Sequence, residues 1–367
     1  MINILTFINT YNYGSVLQAY ALNSYMNANV GETNTIYYDL ASAKTISIAK
    51  RIKIWLGRMM YIKAWLSREK KFSQFINTNI KMNKQRFKSA QELREFPFSM
   101  QDTYIVGSDQ CWCELERKEF FLDFVETKRK YAYAISLGET LINQEGFNKI
   151  KEYTREFKKV SFRELYSVQQ YEKQNKQIVD YCIDPVFLLE KDNYVSLCKR
   201  SANYEKYRKK KYICVYAIYG SEKMQEFLDE MQKKTNYEVV LIGGLREKIY
   251  ASKMSFIRDA GVEDFLSFIY NAEYIVTDSF HATAFSIIFE KEFYSFTRCE
   301  GNSRIGNLLS YLKINERIKS DSESKCTESS KIDYANVNSI LYEKDGVLEK
   351  SRKYLEDIRK EIQENNI

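Results

Sequence analysis

The 367-residue sequence is poor in residues that bend or break a chain, with only 2 prolines and 13 glycines. This scarcity argues against a loop-rich secreted module and predicts long helices and strands joined by short loops. The 7 cysteines show no paired spacing, which favours a reducing compartment over a disulfide framework. Cys111 and Cys113 have no second pair and no histidine nearby, so we interpret them as ordinary thiols and expect no metal site.

Long uncharged stretches are missing as well, since no run reaches the ~18 apolar residues of a membrane-spanning helix. The opening residues MINILTFI lack the features of a signal peptide and predict a buried strand. We therefore expect a cytoplasmic protein. A composition of 44% hydrophobic and 29% charged residues is typical of a globular protein, and the length fits two domains.

Positive charge is concentrated in residues 44–71, which hold nine Lys or Arg residues and a single acid, Glu69. Apolar residues recur in this segment at helical spacing: Ile48, Ile52, Trp55, Leu56, Met59, Ile62 and Leu66. Such a basic amphipathic helix either lies on an anionic membrane surface or packs its apolar stripe on the protein's own core. The sequence leaves both interpretations open. We expect no nucleic-acid partner, because no recognition module accompanies the basic segment.

Short apolar runs alternate with longer amphipathic ones, a pattern typical of parallel α/β sheets. The predicted strands are 2–8, 34–40, 103–107, 131–136, 211–219, 237–244, 273–278 and 292–296, and the predicted helices include 15–28, 45–66 and 68–80. We therefore predict an α/β protein with two Rossmann-like domains that face each other across a cleft. The expected domains are residues 1–160 and 161–339, with a charged helix at 340–367 that packs back on the body.

Ligands of parallel sheets bind beyond the carboxyl ends of the strands, so the strand-to-helix corners hold the candidate site residues. At the first corner, Asn12 and Gly14 form a turn before a helix that Ser15 and Gln18 would open as a capping box. The N–H groups of such a helix start can bind an anion, although many similar turns bind nothing.

The next corners carry further polar residues. Gly107 allows a tight exit from its strand, after which Ser108 and Asp109 would point into the cleft, unless Asp109 caps the next element. Arg163 stands beside Glu164, which is also the pattern of a simple ion pair.

The single histidine, His281, follows the strand 273–278 in the sequence TDSFHA. Asp278 ends this strand, Ser279 is placed to cap the next helix, and His281 falls in the first helical turn. Histidine is the side chain that titrates nearest neutrality and is the best candidate for acid/base chemistry, although a lone packed histidine is common. The segment that follows supplies Arg298 and Arg304, and arginines near helix starts suit phosphate or carboxylate groups.

Taken together, these stretches resemble the polysaccharide pyruvyl transferase family. The resemblance extends from residue 9 to about residue 312 and rests on six motifs in order: NYGSVLQAYAL, VGSDQCW, SFRE, DPVFLL, TDSFHATAFSIIFEKEFYSF and SRIGNLLSYL. It implies a fold of the glycosyltransferase B type. It also implies transfer of the enolpyruvyl group of phosphoenolpyruvate to two sugar hydroxyls, forming a pyruvate ketal in capsule or exopolysaccharide assembly.

The resemblance also assigns roles to residues. Asn12, Gly14, Ser108 and Asp109 would line the first domain's side of the cleft. A second group, Arg163, His281 and Arg304, would contact phosphoenolpyruvate or the reacting centre, with Asp278 or Asp109 orienting the histidine or taking a hydroxyl proton. The resemblance implies no cofactor beyond this donor. An acceptor sugar carried on a polyprenyl diphosphate would give the basic segment a purpose at the inner face of the membrane.

One motif departs from the family pattern. Family members often have Arg-Leu-His-Gly where this chain has Ser279-Phe280-His281-Ala282, and Arg298 is our candidate for the replacement guanidinium. The same fold also serves nucleotide-sugar-dependent glycosyltransferases, and a silent binding protein of polysaccharide assembly is a third alternative.

Overall fold

The computed structural model describes residues 1–8, 11–39, 61–138, 142–243, 249–297, 304–319 and 330–364. The chain divides into two compact units. The first unit comprises Met1–Thr45, Ile76–Leu189 and Asn338–Ile367, and the second comprises Ile46–Phe75 and Glu190–Val337.

Helices and strands alternate along most of the described chain. The α-helices are α1 (Tyr13–Asn29), α2 (Ile62–Asn79), α3 (Ala90–Glu95), α4 (Gln144–Tyr153), α5 (Leu165–Asn175), α6 (Lys191–Cys198), α7 (Tyr204–Tyr207), α8 (Glu222–Thr235), α9 (Val262–Asn271), α10 (Phe280–Ile288), α11 (Arg304–Tyr311), α12 (Tyr334–Leu341) and α13 (Val347–Glu364). Short 3₁₀ helices occur at Lys118–Phe121, Pro185–Phe187 and Asn315–Arg317. Within the described ranges, no helix combines the length and the apolarity that crossing a bilayer requires.

The first unit is built on a seven-stranded parallel sheet. Its strands are β1 (Ile2–Leu5), β2 (Thr33–Tyr38), β3 (Met82–Phe87), β4 (Thr103–Gly107), β5 (Lys130–Ile135), β6 (Phe157–Phe162) and β7 (Asp180–Tyr181). They lie in the order β3-β2-β1-β4-β5-β6-β7. All residues of the central strands β1, β4 and β5 are buried, as expected for a sheet with helices on both faces.

The second unit contains a six-stranded parallel sheet. Its strands are β8 (Tyr212–Tyr216), β9 (Glu238–Ile242), β10 (Met254–Ile257), β11 (Tyr274–Thr277), β12 (Glu292–Phe296) and β13 (Ile318–Lys319), in the order β10-β9-β8-β11-β12-β13. Apolar side chains of β8, β9 and β11 form one core with those of α8, including Phe227 and Leu228.

Both sheets share the doubly wound strand order of a Rossmann fold. The order reverses between β1 and β4 in the first sheet and between β8 and β11 in the second. At such a switch point the helices after the two strands leave toward opposite faces, which opens a crevice at the carboxyl ends of the strands. Each unit therefore presents one favoured position for a ligand.

The eight strands predicted from apolar runs are all confirmed, with shifts of a few residues at their ends. Five strands were not predicted: β3, β6, β7, β10 and β13. They are very short or only partly buried, so they lack a clear apolar pattern. Most of the predicted helix 45–66 lies outside the described residues, and the predicted helix 68–80 is the later part of α2.

The observed division of the chain differs from the expected domain boundary at residues 160 and 161. That boundary would cut β6, which is hydrogen-bonded to both β5 and β7 within the first sheet. The first unit therefore extends to Leu189. The expected C-terminal helix is α13, and it packs on the first unit, where the Tyr354 hydroxyl donates to the Ala132 carbonyl at 2.9 Å.

Candidate functional site

The first unit gathers polar side chains at the switch point between β1 and β4. Asn12 caps α1, and its side-chain oxygen accepts hydrogen bonds from the N–H groups of Gly14 at 2.9 Å and Ser15 at 3.4 Å. The Ser15 hydroxyl donates in turn to an Asp109 carboxylate oxygen at 2.6 Å, which joins the corner after β1 to the corner after β4. The expected capping box is wrong, because the helix begins at Tyr13 and Asn12 is its cap.

The corner after β4 has an unusual backbone. Ser108 and Asp109 both adopt positive φ angles, 29° and 60°, which residues other than glycine rarely adopt. Two backbone hydrogen bonds hold this turn against β5, from Ser108 N to Tyr133 O at 2.8 Å and from Ser136 N to Asp109 O at 2.9 Å. Strained turns of this kind concentrate at functional sites, where the surrounding structure holds them in place.

Arg163 lies at the centre of this cluster and not at its surface. Its side chain is 1% exposed, and it contacts the carboxylates of Asp184 at 2.5 Å, Glu164 at 3.1 Å and Asp109 at 3.5 Å. Burial lowers the pKa of the guanidinium, but the three carboxylates outweigh that effect and raise it overall. The side chain is therefore held as a buried cation that organises the corners after β4 and β6.

We call this group, Ser15, Ser108, Asp109, Arg163, Glu164 and Asp184, the Asp109 centre. In it, three carboxyl groups face one guanidinium. Because carboxyl groups outnumber the guanidinium, the centre suits ligands that donate hydrogen bonds, such as hydroxyl groups, better than it suits anions.

The neighbouring thiol of Cys111 is fully buried against the Ser108 carbonyl. Burial, with a smaller contribution from Asp109, raises the pKa of this thiol well above the usual range.

In the second unit, His281 lies in the first turn of α10, directly beyond β11. Ser279 caps this helix and accepts a hydrogen bond from Ala282 N at 3.4 Å. The Thr277 hydroxyl donates to the Tyr216 carbonyl at 2.6 Å and so fixes the end of β11 against β8. His281 is 6% exposed, so the imidazole is held within a packed corner.

Asp278 binds the backbone of the loop after β8 at the same switch point. Its carboxylate accepts hydrogen bonds from three successive backbone N–H groups after β8: Ile218 at 2.6 Å, Tyr219 at 2.9 Å and Gly220 at 3.0 Å. Gly220 adopts a φ of 62°, and Ser221 then caps α8. Asp278 therefore links the start of α8 to the start of α10.

Of the two arginines expected beside His281, one lies within the described residues. Arg304 is the first residue of α11, and α11 packs against α10 within the second unit. Arg298 lies outside the described residues. We call His281, Asp278 and Ser279, with the start of α8, the His281 centre.

The expected site residues thus fall into two groups. Asn12, Gly14, Ser108, Asp109 and Arg163 lie together in the first unit, whereas Asp278, Ser279, His281 and Arg304 lie in the second. The sequence grouped Arg163 with His281 as a contact of the donor, and in the structure its side chain lies among three carboxylates of the first unit. Asp184 was not predicted as a site residue, although it is the first residue of the motif DPVFLL. Within the described ranges, no group of three or more histidine, cysteine, aspartate or glutamate residues is arranged to hold a metal ion.

Comparison with known proteins identifies the family. The sequence profile of the polysaccharide pyruvyl transferases matches residues 12–300. The chain belongs to this family. The match contains the Asp109 centre and the His281 centre, but it ends before Arg304. Among curated proteins, none matches the sequence significantly.

Solved structures similar to this family member include three UDP-N-acetylglucosamine 2-epimerases. The putative enzyme from Listeria monocytogenes has a TM-score of 0.57 and 9% identity, with 99% of this chain and 97% of that chain covered. The enzyme from Methanocaldococcus jannaschii has a TM-score of 0.55 and 9% identity, with 97% and 98% covered. The enzyme from Rickettsia bellii has a TM-score of 0.51 and 11% identity, with 99% and 94% covered. This likeness, which spans both units, confirms the predicted Rossmann-like fold of the glycosyltransferase B type.

Proposed function

We propose that the protein transfers the enolpyruvyl group of phosphoenolpyruvate to two hydroxyls of a sugar and closes a pyruvate ketal. Membership of the polysaccharide pyruvyl transferase family supports this reaction class, and with it a role in capsule or exopolysaccharide assembly. The observation that carries the proposal is the position of His281 in the first turn of α10, at the switch point of the second sheet. An imidazole at a ligand-binding corner can exchange protons with a substrate near neutral pH.

We assign the donor to the His281 centre on grounds of charge. α8 and α10 begin beside each other beyond β8 and β11, and a helix start carries partial positive charge and N–H donors. Arg304 adds a guanidinium at the start of α11. Phosphoenolpyruvate carries a carboxylate and a phosphate, which are the groups that arginines and helix starts bind best.

We assign the acceptor hydroxyls to the Asp109 centre. An anionic donor is disfavoured there, because three carboxyl groups face one guanidinium. A sugar hydroxyl, by contrast, donates hydrogen bonds to carboxylates. Asp109 is the candidate base for this hydroxyl, with Ser15 holding one of its oxygens in place. This assignment gives Arg163 the role of positioning Asp109, in place of the donor contact expected from the sequence.

The proposed reaction needs one acid and a base for each hydroxyl. His281 delivers a proton to the methylene carbon of phosphoenolpyruvate, and C2 becomes cationic. A sugar hydroxyl adds to C2 and gives up its proton, so a C–O bond forms while phosphate is still attached. The C2–O bond to phosphate then breaks, inorganic phosphate leaves, and a second hydroxyl adds to C2 and loses its proton. The products are the ketal and phosphate, with the departing charge balanced by Arg304 and the helix starts.

The proposal is tested by ligand-induced stabilisation. A ligand that binds the folded state adds about 2.7 kcal/mol at a concentration 100 times its Kd, so its binding is visible as a rise in Tm. We expect phosphoenolpyruvate to raise the Tm of the wild-type protein. The rise should be lost in Arg304→Gln and retained in Arg208→Gln, a matched change of an exposed arginine in the same unit.

UDP, GDP and CMP serve as competing ligands in the same experiment. A rise in Tm with a nucleotide and none with phosphoenolpyruvate would replace the proposal with a nucleotide-sugar-dependent enzyme. Phosphate release from phosphoenolpyruvate is then followed with a panel of free hexoses and their methyl glycosides. Binding of the donor without phosphate release from any of them would favour a binding protein over a transferase.

A further inference from the structure

The helix α2 presents two chemically different faces within its first three turns. Ile62, Leu66 and Lys70 follow one another at intervals of four residues and therefore lie on one side of the helix, with Lys63 beside them. All four side chains are exposed. We call Ile62, Lys63, Leu66 and Lys70 the outer face of α2.

The opposite side of α2 is fastened to the second unit. The Ser67 hydroxyl donates to an Asp259 carboxylate oxygen at 3.1 Å. The Lys71 ammonium group donates to the Asp259 carbonyl at 2.9 Å and to the Asp264 carboxylate at 2.9 Å. Phe72, one residue further, is 2% exposed.

The packing at this inner side leaves little room for movement. A Cβ atom added to Gly261, the residue before α9, would lie 2.7 Å from the Cβ atom of Lys71. The helix therefore touches the backbone of residues 259–264 through the stem of Lys71. Because the inner side is fixed in this way, the helix cannot turn its outer face toward the core of the second unit.

The outer face combines apolar and basic side chains. Ile62 and Leu66 are 48% and 50% exposed, although both are large hydrophobic residues. The exposed residues further along α2 are Ser73, Gln74, Asn77 and Thr78, so no acid occurs among its exposed residues. In the sequence before α2, residues 44–61 contain five Lys or Arg residues and no acid, and Ile48, Ile52, Trp55 and Met59 continue the spacing of Ile62 and Leu66.

We propose that the outer face of α2 docks on an anionic membrane surface. Ile62 and Leu66 enter the interface between headgroups and acyl chains, while Lys63 and Lys70 pair with lipid phosphates. A second copy of the chain is a poorer partner, because a symmetric dimer through this face would set lysines against lysines. The proposal favours one of the two interpretations that the sequence left open, since Ile62 and Leu66, at the described end of the apolar stripe, are exposed. It does not depend on the proposed reaction.

The test is sedimentation of the full-length protein with vesicles of phosphatidylcholine, with and without phosphatidylglycerol, at low and high salt. We expect binding only to the vesicles that contain phosphatidylglycerol, and weaker binding at high salt. Replacing Ile62 and Leu66 together by serine should weaken binding about tenfold or more, and Lys63→Gln with Lys70→Gln about tenfold. Thermal unfolding of each variant checks that the exposed substitutions leave the fold intact.

Matched controls come from exposed residues of the first unit. Ile178→Ser removes a side chain that is 91% exposed, and Lys84→Gln with Lys88→Gln removes two exposed lysines. Both controls should bind vesicles as the wild type does. Equal binding to neutral and anionic vesicles, or equal loss in the control and outer-face variants, would overturn the proposal. A concentration-dependent dimer that the serine pair abolishes, without vesicle binding by the wild type, would show that a second copy covers this face.

Discussion

A carboxylate oxygen of Asp278 accepts a hydrogen bond from the backbone N–H of Gly220 at 3.0 Å. The same oxygen also accepts from Tyr219 N, and the other oxygen accepts from Ile218 N. One side chain after β11 thus fixes the whole loop after β8. In the first sheet, Asp109 follows the corresponding strand β4 and accepts a hydrogen bond from the Ser15 hydroxyl after β1.

Replacement of Asp278 by asparagine should loosen this loop without unfolding the protein. An asparagine side chain keeps one acceptor oxygen, so at least one of the three N–H groups loses its partner. Hydrogen bonds to charged groups contribute about 1.5–3 kcal/mol, and we therefore expect amide exchange at residues 218–220 to accelerate about tenfold or more. Hydrogen exchange with mass spectrometry measures this. The control is Asp229→Asn, at an exposed position on α8, where exchange of the amides of residues 218–220 should stay at the wild-type rate. If exchange of these amides accelerates equally in both variants, Asp278 does not hold the loop in the way described.

Replacement of Arg163 should act mainly on stability. Arg163→Met leaves three buried carboxyl groups without their cation, and we expect the free energy of unfolding to fall by about 3–5 kcal/mol. The control is Arg94→Met, which removes the 45% exposed ion-pair partner of Asp123. In this variant the free energy of unfolding should fall by only about 0–1 kcal/mol. Urea denaturation followed by circular dichroism compares the two variants.

The pH dependence of the Arg163→Met defect follows from its cause. Loss of the cation raises the pKa of the buried carboxyl groups in the folded state, so their protonation relieves part of the defect. The difference from the wild type should therefore shrink as the pH falls from about 7 toward about 4. A defect that is constant over this range would indicate lost packing instead of uncompensated charge.

His281→Gln separates catalysis from binding. Glutamine preserves hydrogen bonding but cannot act as an acid near neutral pH, and loss of general acid catalysis costs about 10²- to 10⁴-fold in kcat. The rise in Tm with phosphoenolpyruvate should survive, since we assign anion binding to Arg304 and the helix starts. Phosphate release and thermal shift on the same preparation measure the two effects. A variant with wild-type kcat would exclude His281 as the acid.

Gly261→Ala should loosen the attachment of α2. The added methyl group would overlap the Cβ atom of Lys71, which is close to the backbone and cannot turn aside. Overpacking of this kind costs about 1–3 kcal/mol, measurable by urea denaturation and as faster amide exchange in α2. The control is Gly31→Ala, where the nearest atom to the added Cβ lies 3.7 Å away. A similar loss in both variants would point to a general effect of removing glycine.

The central strands and the corner residues were predictable because they depend on local patterns. β4 and β11 are short apolar runs that end in small polar residues, and both contain Tyr-Ile-Val, at 104–106 and 274–276. This shared tripeptide is a signal that the two strands occupy equivalent places beside the switch points. The edge strand β3 gave no such signal, since most of its side chains are not buried.

The partners of the site residues could not be predicted in the same way. The sequence does not show that Asp109 and Asp184 converge on Arg163, because they lie 54 and 21 residues away from it in the chain. The three donors to Asp278 could not be predicted for the same reason, since they lie about 60 residues earlier in the chain. Contacts between distant corners of a sheet follow from strand order, which the apolar pattern alone does not fix.

The construction of the first unit from separated segments has a consequence for synthesis on the ribosome. The Ile183 N–H, buried in the first unit, donates to the Ser351 hydroxyl of α13 at 2.8 Å, and Tyr354 of the same helix binds the Ala132 carbonyl. These partners are translated after residues 190–337, which belong to the second unit. The second unit can therefore fold before α13, the last helix of the first unit, has been synthesised. Until α13 has been synthesised, the earlier part of the first unit lacks the hydrogen bonds that Ser351 and Tyr354 make with it.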